Sequence, residues 1–222
     1  KVVRNTPAKR DQDHLQMLVE QNPQIPDRTE HLVGEGPDPT LALYATCKKL
    51  QGGGADLIAI PCNTAHAFVE EIQSHLRIPI MNMLTVTVNH VRESFPNLRK
   101  VGLLATSGTI SSGVYRRALE DHGLEEVVPP PALQARVMDA IYGPKGVKAG
   151  FTSGECQEDV LAAIDDLAGR GVNVIILGCT ELPLLFQTPE VKTREGRLVK
   201  LVDPTDILAK RCVDYALAHS KR

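Results

Sequence analysis

Two short apolar runs in this chain end in a cysteine. Ile58-Ala59-Ile60-Pro61-Cys62-Asn63-Thr64-Ala65-His66 and Val174-Ile175-Ile176-Leu177-Gly178-Cys179-Thr180-Glu181 each pass from strand-like hydrophobics to a thiol and then to a polar helix start. A cysteine between a strand end and a helix start feels the partial positive charge of unpaired backbone N–H groups, which lowers the thiol pKa and favours thiolate. Two such groups facing one another could take a proton from a carbon and return one to its other side, inverting the centre without a cofactor. Helix N-termini would stabilise the developing anion. A lone cysteine reads more simply as a small buried hydrophobe, but packing gives no reason for the pattern to recur at equivalent strand exits. Cys47, Cys156 and Cys212 fall inside helical patterns and read as structural. A zinc site on Cys62, His66 and Cys179 lacks an evident fourth ligand, so no metal is expected. His66 reads instead as an exposed helix residue or as a group supporting the cysteine.

The elements that must position these thiols follow from periodicity and turn chemistry. Residues 1–14 are polar and rich in turn formers, with no core pattern. Residues 17–19 read as a strand, and a proline-rich loop then places Arg28 just past the strand end. Asp38-Pro39-Thr40 starts a helix that Gly52-Gly53-Gly54 ends. Residues 57–60 are apolar at consecutive positions, as expected of a parallel strand covered on both faces. A helix over 64–76, a short strand over 78–80 and a helix over 84–91 follow. A strand over 100–105 then ends in Thr106-Ser107-Gly108-Thr109, a turn and N-cap whose free N–H groups suit an anion, before a helix over 110–122. Helices over 133–142 and 155–167 flank a connector that carries Lys145 and Lys148. A strand over 174–177, a strand-like segment over 199–204 and a helix over 205–218 complete the chain. Strands alternating with helices predict an α/β fold of two similar doubly wound parallel-sheet domains, with the active site in the cleft between them. Residues 1–97 plus 204–222 would form one domain and residues 98–203 the other.

Composition narrows the partner. A formal net charge of −2 and the absence of Trp supply neither a basic stripe nor stacking platforms, so no nucleic acid is expected. No apolar run approaches the roughly 20 residues of a membrane span, so no membrane is expected either. A small molecule fits better. Five cysteines cannot all pair within the chain, which reads as reduced thiols and a cytoplasmic protein.

Pro61-Cys62-Asn63-Thr64 and Gly178-Cys179-Thr180-Glu181 resemble the paired cysteine motifs of the PLP-independent aspartate/glutamate racemase family, most closely the aspartate racemases. The similarity extends to Thr6-Pro7-Ala8-Lys9-Arg10-Asp11-Gln12 and to Asn22-Pro23-Gln24-Ile25-Pro26-Asp27-Arg28-Thr29. It continues at Leu103-Leu104-Ala105-Thr106-Ser107-Gly108-Thr109 and Gly146-Val147-Lys148-Ala149-Gly150, and so covers nearly the whole chain. The resemblance implies an acid/base pair at Cys62 and Cys179. It implies contacts from Asn63, Thr64 and Thr180 to the substrate's α-carboxylate or amino group, and from Arg28 and Lys148 to its side-chain carboxylate. Thr106 would lie in a loop near the ligand. No cofactor, a homodimer and an acidic amino-acid substrate are implied as well.

Taken on their own chemistry, Arg28 and Lys148 also read as solvated charges, and Thr64, Thr106 and Thr180 as N-caps. A guanidinium fork is nonetheless suited to grip a second carboxylate. Gly143-Pro144-Lys145 departs from the family pattern and bears on how Lys148 is presented. The resemblance further implies an opening strand and a Gly-Gly-Met-Gly-Pro loop, which do not precede Lys1. A truncated chain with an unpaired sheet edge and an open site is therefore expected. The expected function is cofactor-independent interconversion of L- and D-aspartate, with the choice between aspartate and glutamate open. The alternatives are a non-catalytic amino-acid or dicarboxylate-binding protein, a dicarboxylate decarboxylase or isomerase, and a hydantoin racemase on the same scaffold.

Overall fold

The arrangement of strands explains where the two cysteines go. In the computed structural model, which describes residues 1–219, seven strands form two sheets. The small sheet pairs β1 (Ile58–Ala59) with β2 (Ile80–Met81) in parallel. The large sheet contains β3 (Lys100–Leu104), β4 (Glu125–Val127), β5 (Val174–Leu177), β6 (Glu190–Lys192) and β7 (Leu198–Val202) in the order β4-β3-β5-β7-β6. An α/β architecture with parallel sheets is thus as expected. Of the first domain expected from the sequence, residues 220–222 lie outside the described residues.

Four consecutive apolar residues make β5 a central strand. Ile175 and Leu177 point into one core with helices Pro131–Tyr142 and Glu155–Gly169, through Ile141, Val160 and Ile164. Val174 and Ile176 point into the other, with Val88 of helix Met83–Ser94, Leu119 of helix Val114–Glu120 and Ile207 of helix Pro204–His219. Side chains alternate across a strand, so only an apolar run can satisfy two covered faces. β4 and β5 lie on opposite sides of β3. The chain therefore reverses direction across the sheet at β3 and β5, and their carboxyl ends border the crevice where ligands bind in open α/β sheets. Thr106 leaves β3 there, and Cys179 leaves β5.

Several expected elements differ. Residues 17–19 are not a strand: no neighbouring strand bonds to them, and Val19 is 83% exposed. The helix expected over 64–76 divides into a 3-10 turn, Thr64–Ala67, and a short helix, Val69–Gln73. Its first turn is tightened by His66. The ring Nδ1 bonds the Cys62 carbonyl at 2.8 Å, the acceptor that an α-helix would give to the His66 N–H, and that N–H turns to Asn63 O at 3.0 Å. The helix expected over 110–122 breaks at Gly113, whose φ of +66° suits glycine and divides it into Ser107–Ser112 and Val114–Glu120. β4 and β6 are strands that the sequence reading missed, because Glu125, Glu126 and Lys192 hide the pattern of a short edge. β6 pairs antiparallel with β7, which corrects the all-parallel expectation at that edge. The reversal follows from the tight turn closed by Thr193 N–H to Arg197 O, a connection too short for a parallel crossover.

Helix Arg28–Leu32 meets helix Ser107–Ser112 at a glycine. A Cβ placed on Gly108 would stand 2.7 Å from Thr29 Cα, a backbone atom that cannot rotate away. Gly108→Ala is expected to lower stability by about 1–3 kcal/mol by forcing the two helices apart. Gly52→Ala, whose Cβ meets nothing within 4 Å, should stay within about 0.5 kcal/mol of the parent. Thermal melts followed by circular dichroism check both, and equal midpoints for the two variants would contradict the close contact.

Candidate active site

Arg28, Cys62, Asn63, Thr64, Thr106, Lys148, Cys179 and Thr180 all line one cavity of about 130 Å³. Thr29, Tyr142 and Glu181, to which the sequence reading gave no role, line it too. The cavity lies between the strand exits of the two sheets, with β1 leading to Cys62 and β5 to Cys179. Lys145 is not among the lining residues and pairs with Glu155 at 3.0 Å on the surface.

The Cys62 wall is held by buried polar groups. His66 Nε2 accepts the Met83 N–H at 3.0 Å, so Nδ1 carries the ring proton and donates it to Cys62 O. Burial lowers the His66 pKa and keeps the ring neutral. His66 is thus neither exposed, as one sequence reading had it, nor available as a metal ligand, since both ring nitrogens serve the backbone. Among the described residues no three His, Cys, Asp or Glu side chains converge to hold a metal. Asn63 is 2% exposed, and its Oδ1 accepts the Tyr115 hydroxyl at 2.6 Å while its Nδ2 has no partner. A buried amide N–H without an acceptor is costly, which marks Nδ2 as a donor for a ligand. Thr64 does not cap a helix. Its hydroxyl joins Thr109 at 2.7 Å and Thr106 at 3.3 Å.

Arg28 enters from the first turn of helix Arg28–Leu32, where Asp27 Oδ1 caps Thr29 N at 2.7 Å and Glu30 N at 3.0 Å. Its Nη1 donates to Pro26 O at 3.0 Å, which fixes the guanidinium beside the Cys62 thiol. Burial opposes the Arg28 charge, but Cys62 and then Asp27 outweigh it and raise the pKa. Tyr142 bridges the same loop, donating its hydroxyl to Asp27 Oδ2 at 3.0 Å. Burial pushes its phenol up to about 12.

Glu181 organises the other wall. Its Oε2 accepts from the Cys179 thiol at 2.9 Å and from Thr180 Oγ1 at 3.0 Å, and its Oε1 accepts from Lys148 Nζ at 2.7 Å. Burial works against the Glu181 charge, yet these donors hold the carboxyl below its ordinary value. Lys148 stands in the 3-10 turn Val147–Ala149, with Nζ 5.2 Å from the centre of the Tyr142 ring. Burial disfavours its charge, and Glu181 more than restores it. Burial first, and then the Glu181 carboxylate, push the Cys179 thiol well above its ordinary range.

The expectation that a helix N-terminus lowers the cysteine pKa is therefore corrected at Cys179. No α-helix begins there; the chain passes into the 3-10 turn Leu182–Leu185, and the nearest strong charge is negative. Thr180 likewise serves Glu181 rather than capping a helix. The two thiols sit in opposite fields, Cys62 beside a guanidinium and Cys179 beside a carboxylate. At Cys179 burial and the neighbouring carboxylate both favour the protonated thiol.

A profile of the Asp/Glu/Hydantoin racemase family matches residues 1–212. The structure of Picrophilus torridus aspartate racemase superposes with a TM-score of 0.80 at 29% identity, covering 97% of this chain and 85% of that one. The broad specificity amino-acid racemase RacX of Bacillus subtilis is 27% identical over 173 residues, 77% of this chain and 69% of its own length. A glutamate racemase of Bacillus cereus is 31% identical over 171 residues, 74% of this chain but 58% of that relative's length. With two thiols on one cavity and a racemase profile along nearly its whole length, the chain belongs to the Asp/Glu/hydantoin racemase family and is an enzyme of the racemase class.

Proposed function

We propose that the enzyme interconverts L- and D-aspartate without a cofactor, using Cys62 and Cys179 as the two proton-transferring groups. The observation that carries this reading is the opening of both thiols onto one small cavity that also holds two cations, Arg28 and Lys148. A thiolate removes the proton from the substrate Cα, and the thiol across the cavity returns one to its other side. Arg28 and Lys148 take the carboxylates by charge-assisted hydrogen bonds. The unpaired Asn63 amide supplies a further donor. Thr64, Thr106 and Thr180 complete the polar wall, and Thr106 also receives the Thr109 N–H as the N-cap of helix Ser107–Ser112.

The site would lie in the cleft between two domains, residues 1–97 with 204–222 and residues 98–203. The confinement of each sheet to one of these segments supports the division, while helices Met83–Ser94 and Pro204–His219 both pack on a face of the large sheet and form the seam between the two units. Two-thiol chemistry needs both cysteines reduced, which supports a cytoplasmic location. The working assembly is taken as the homodimer that the family resemblance implies.

Chiral chromatography of aspartate, without added PLP, tests the reaction directly. Cys62→Ala and Cys179→Ala are each expected to lower kcat about 10²–10⁴-fold, the usual contribution of one acid or base, with unchanged thermal midpoints. In deuterated water the product enantiomer should carry solvent deuterium from the first turnover. Full activity in either cysteine variant would rule out the two-base mechanism.

Asn63→Asp keeps an acceptor for Tyr115 but replaces the free amide with an anion. Its KM for aspartate is expected to rise about 10–100-fold, the scale of a hydrogen bond to a charged group. Steady-state kinetics check this, and an unchanged KM would remove Asn63 from the binding wall.

A further inference from the structure

The structure shows the site with its lysine already occupied. Lys148 is the cation that the proposed function offers to a carboxylate, yet its Nζ lies 2.7 Å from Glu181 Oε1. Both side chains are partly shielded, at 35% and 24% exposure, so solvent screens the pair only in part. The other oxygen of the same carboxylate holds the Cys179 thiol at 2.9 Å. An arriving carboxylate would meet Glu181 as a like charge inside a cavity of about 130 Å³. Two carboxylates sharing such a space are not both stabilised by one lysine. Either the ligand stays away from Lys148 or Lys148 changes partner.

Resting on the reading of the substrate as an acidic amino acid, we propose that Glu181 is an internal counter-ion that holds Lys148 until a ligand arrives and then yields it to the ligand's second carboxylate. The exchange makes Glu181 a specificity-determining residue. A ligand with one carboxylate, satisfied at Arg28 and Asn63, leaves the Lys148–Glu181 pair closed. A dicarboxylate replaces Glu181 on Lys148 and so relieves its own repulsion. Because Glu181 Oε2 also accepts the Cys179 thiol and the Thr180 hydroxyl, opening the pair reorganises the hydrogen bonds around Cys179 when a dicarboxylate is present. Tyr142, 5.2 Å from Lys148 Nζ, keeps a π-face beside the cation in either arrangement.

Isothermal titration calorimetry with succinate and with propionate tests the exchange on the full chain and on the variants Glu181→Gln, Lys148→Met and the double substitution. Neither ligand has a stereocentre to invert, so the result does not depend on turnover. Glu181→Gln is expected to bind succinate about fivefold more tightly than the parent, the scale of one partly screened ion pair. Its affinity for propionate should change less than twofold, and heats below detection for both proteins count as unchanged. The gain for succinate should vanish when Glu181→Gln is made in the Lys148→Met background, as a double-mutant cycle requires of a direct partner. Equal or weaker succinate binding by Glu181→Gln, an equal gain for propionate, or a gain that persists without Lys148 would overturn the proposal, as would no binding of succinate to any variant. Glu181→Ala repeats the comparison if the glutamine variant does not fold. A parent that shows this binding pattern but does not racemise aspartate would overturn the proposed function while supporting the exchange at Lys148.

Discussion

Four buried threonine hydroxyls hold the site together. Thr29 donates to Thr106 at 2.9 Å, Thr106 and Thr109 are 3.1 Å apart, and Thr64 reaches Thr109 at 2.7 Å. These residues come from three separate segments: the helix that carries Arg28, the turn that follows Cys62 and the loop that leaves β3. Each hydroxyl bond contributes only about 0.5–1.5 kcal/mol net, but a buried hydroxyl left without a partner costs about 1–3 kcal/mol. The cluster is therefore less a source of stability than a condition on geometry. If one segment moves, several buried groups lose partners together, so Arg28, Cys62 and Thr106 keep a fixed relation to one another.

Around that fixed cluster the two thiols are treated differently. Cys62 stands on a turn whose geometry is set by a histidine side chain taking a main-chain carbonyl, with a guanidinium for a neighbour. Cys179 follows a four-residue buried strand and meets a carboxylate that is itself tied to a lysine. Under the proposed two-base reaction each thiol would need only to be acid in one direction and base in the other, which an asymmetric site permits. What the asymmetry sets is a preference for the protonated thiol at Cys179.

The residues that line the cavity were easier to read from the sequence than the backbone that carries them. Cys62 and Cys179 stand out because an apolar strand ending in a thiol occurs twice, and β5 and the helix Thr40–Gly52 follow directly from burial pattern and terminal glycines. Arg28, Lys148 and Asn63 required the family resemblance, since a charged or amide residue in a loop has no periodicity to betray it. Tyr142 gave no local signal at all: it reaches Asp27 across 115 positions of sequence. Glu181 lay in plain view beside Cys179, but nothing in its spacing shows that it faces the thiol rather than solvent. The split of the helix after Cys62 was hidden for a related reason, because a side chain competing for a backbone acceptor leaves the hydrophobic pattern intact. The strand expected over 17–19 failed differently, for β-propensity describes a residue's fit to a ladder and cannot supply the neighbouring strand.

The neutral, doubly bonded ring of His66 has a bearing on how loss-of-function data would be interpreted. Histidine four residues after a reactive cysteine invites the role of general base, and its replacement by alanine would release the Cys62 carbonyl and orphan the Met83 N–H. A fall in activity after that change would imitate the loss of a proton carrier, because both ring nitrogens already serve the backbone. Inactivity after histidine removal would therefore report first on the placement of the backbone at Cys62 and Met83.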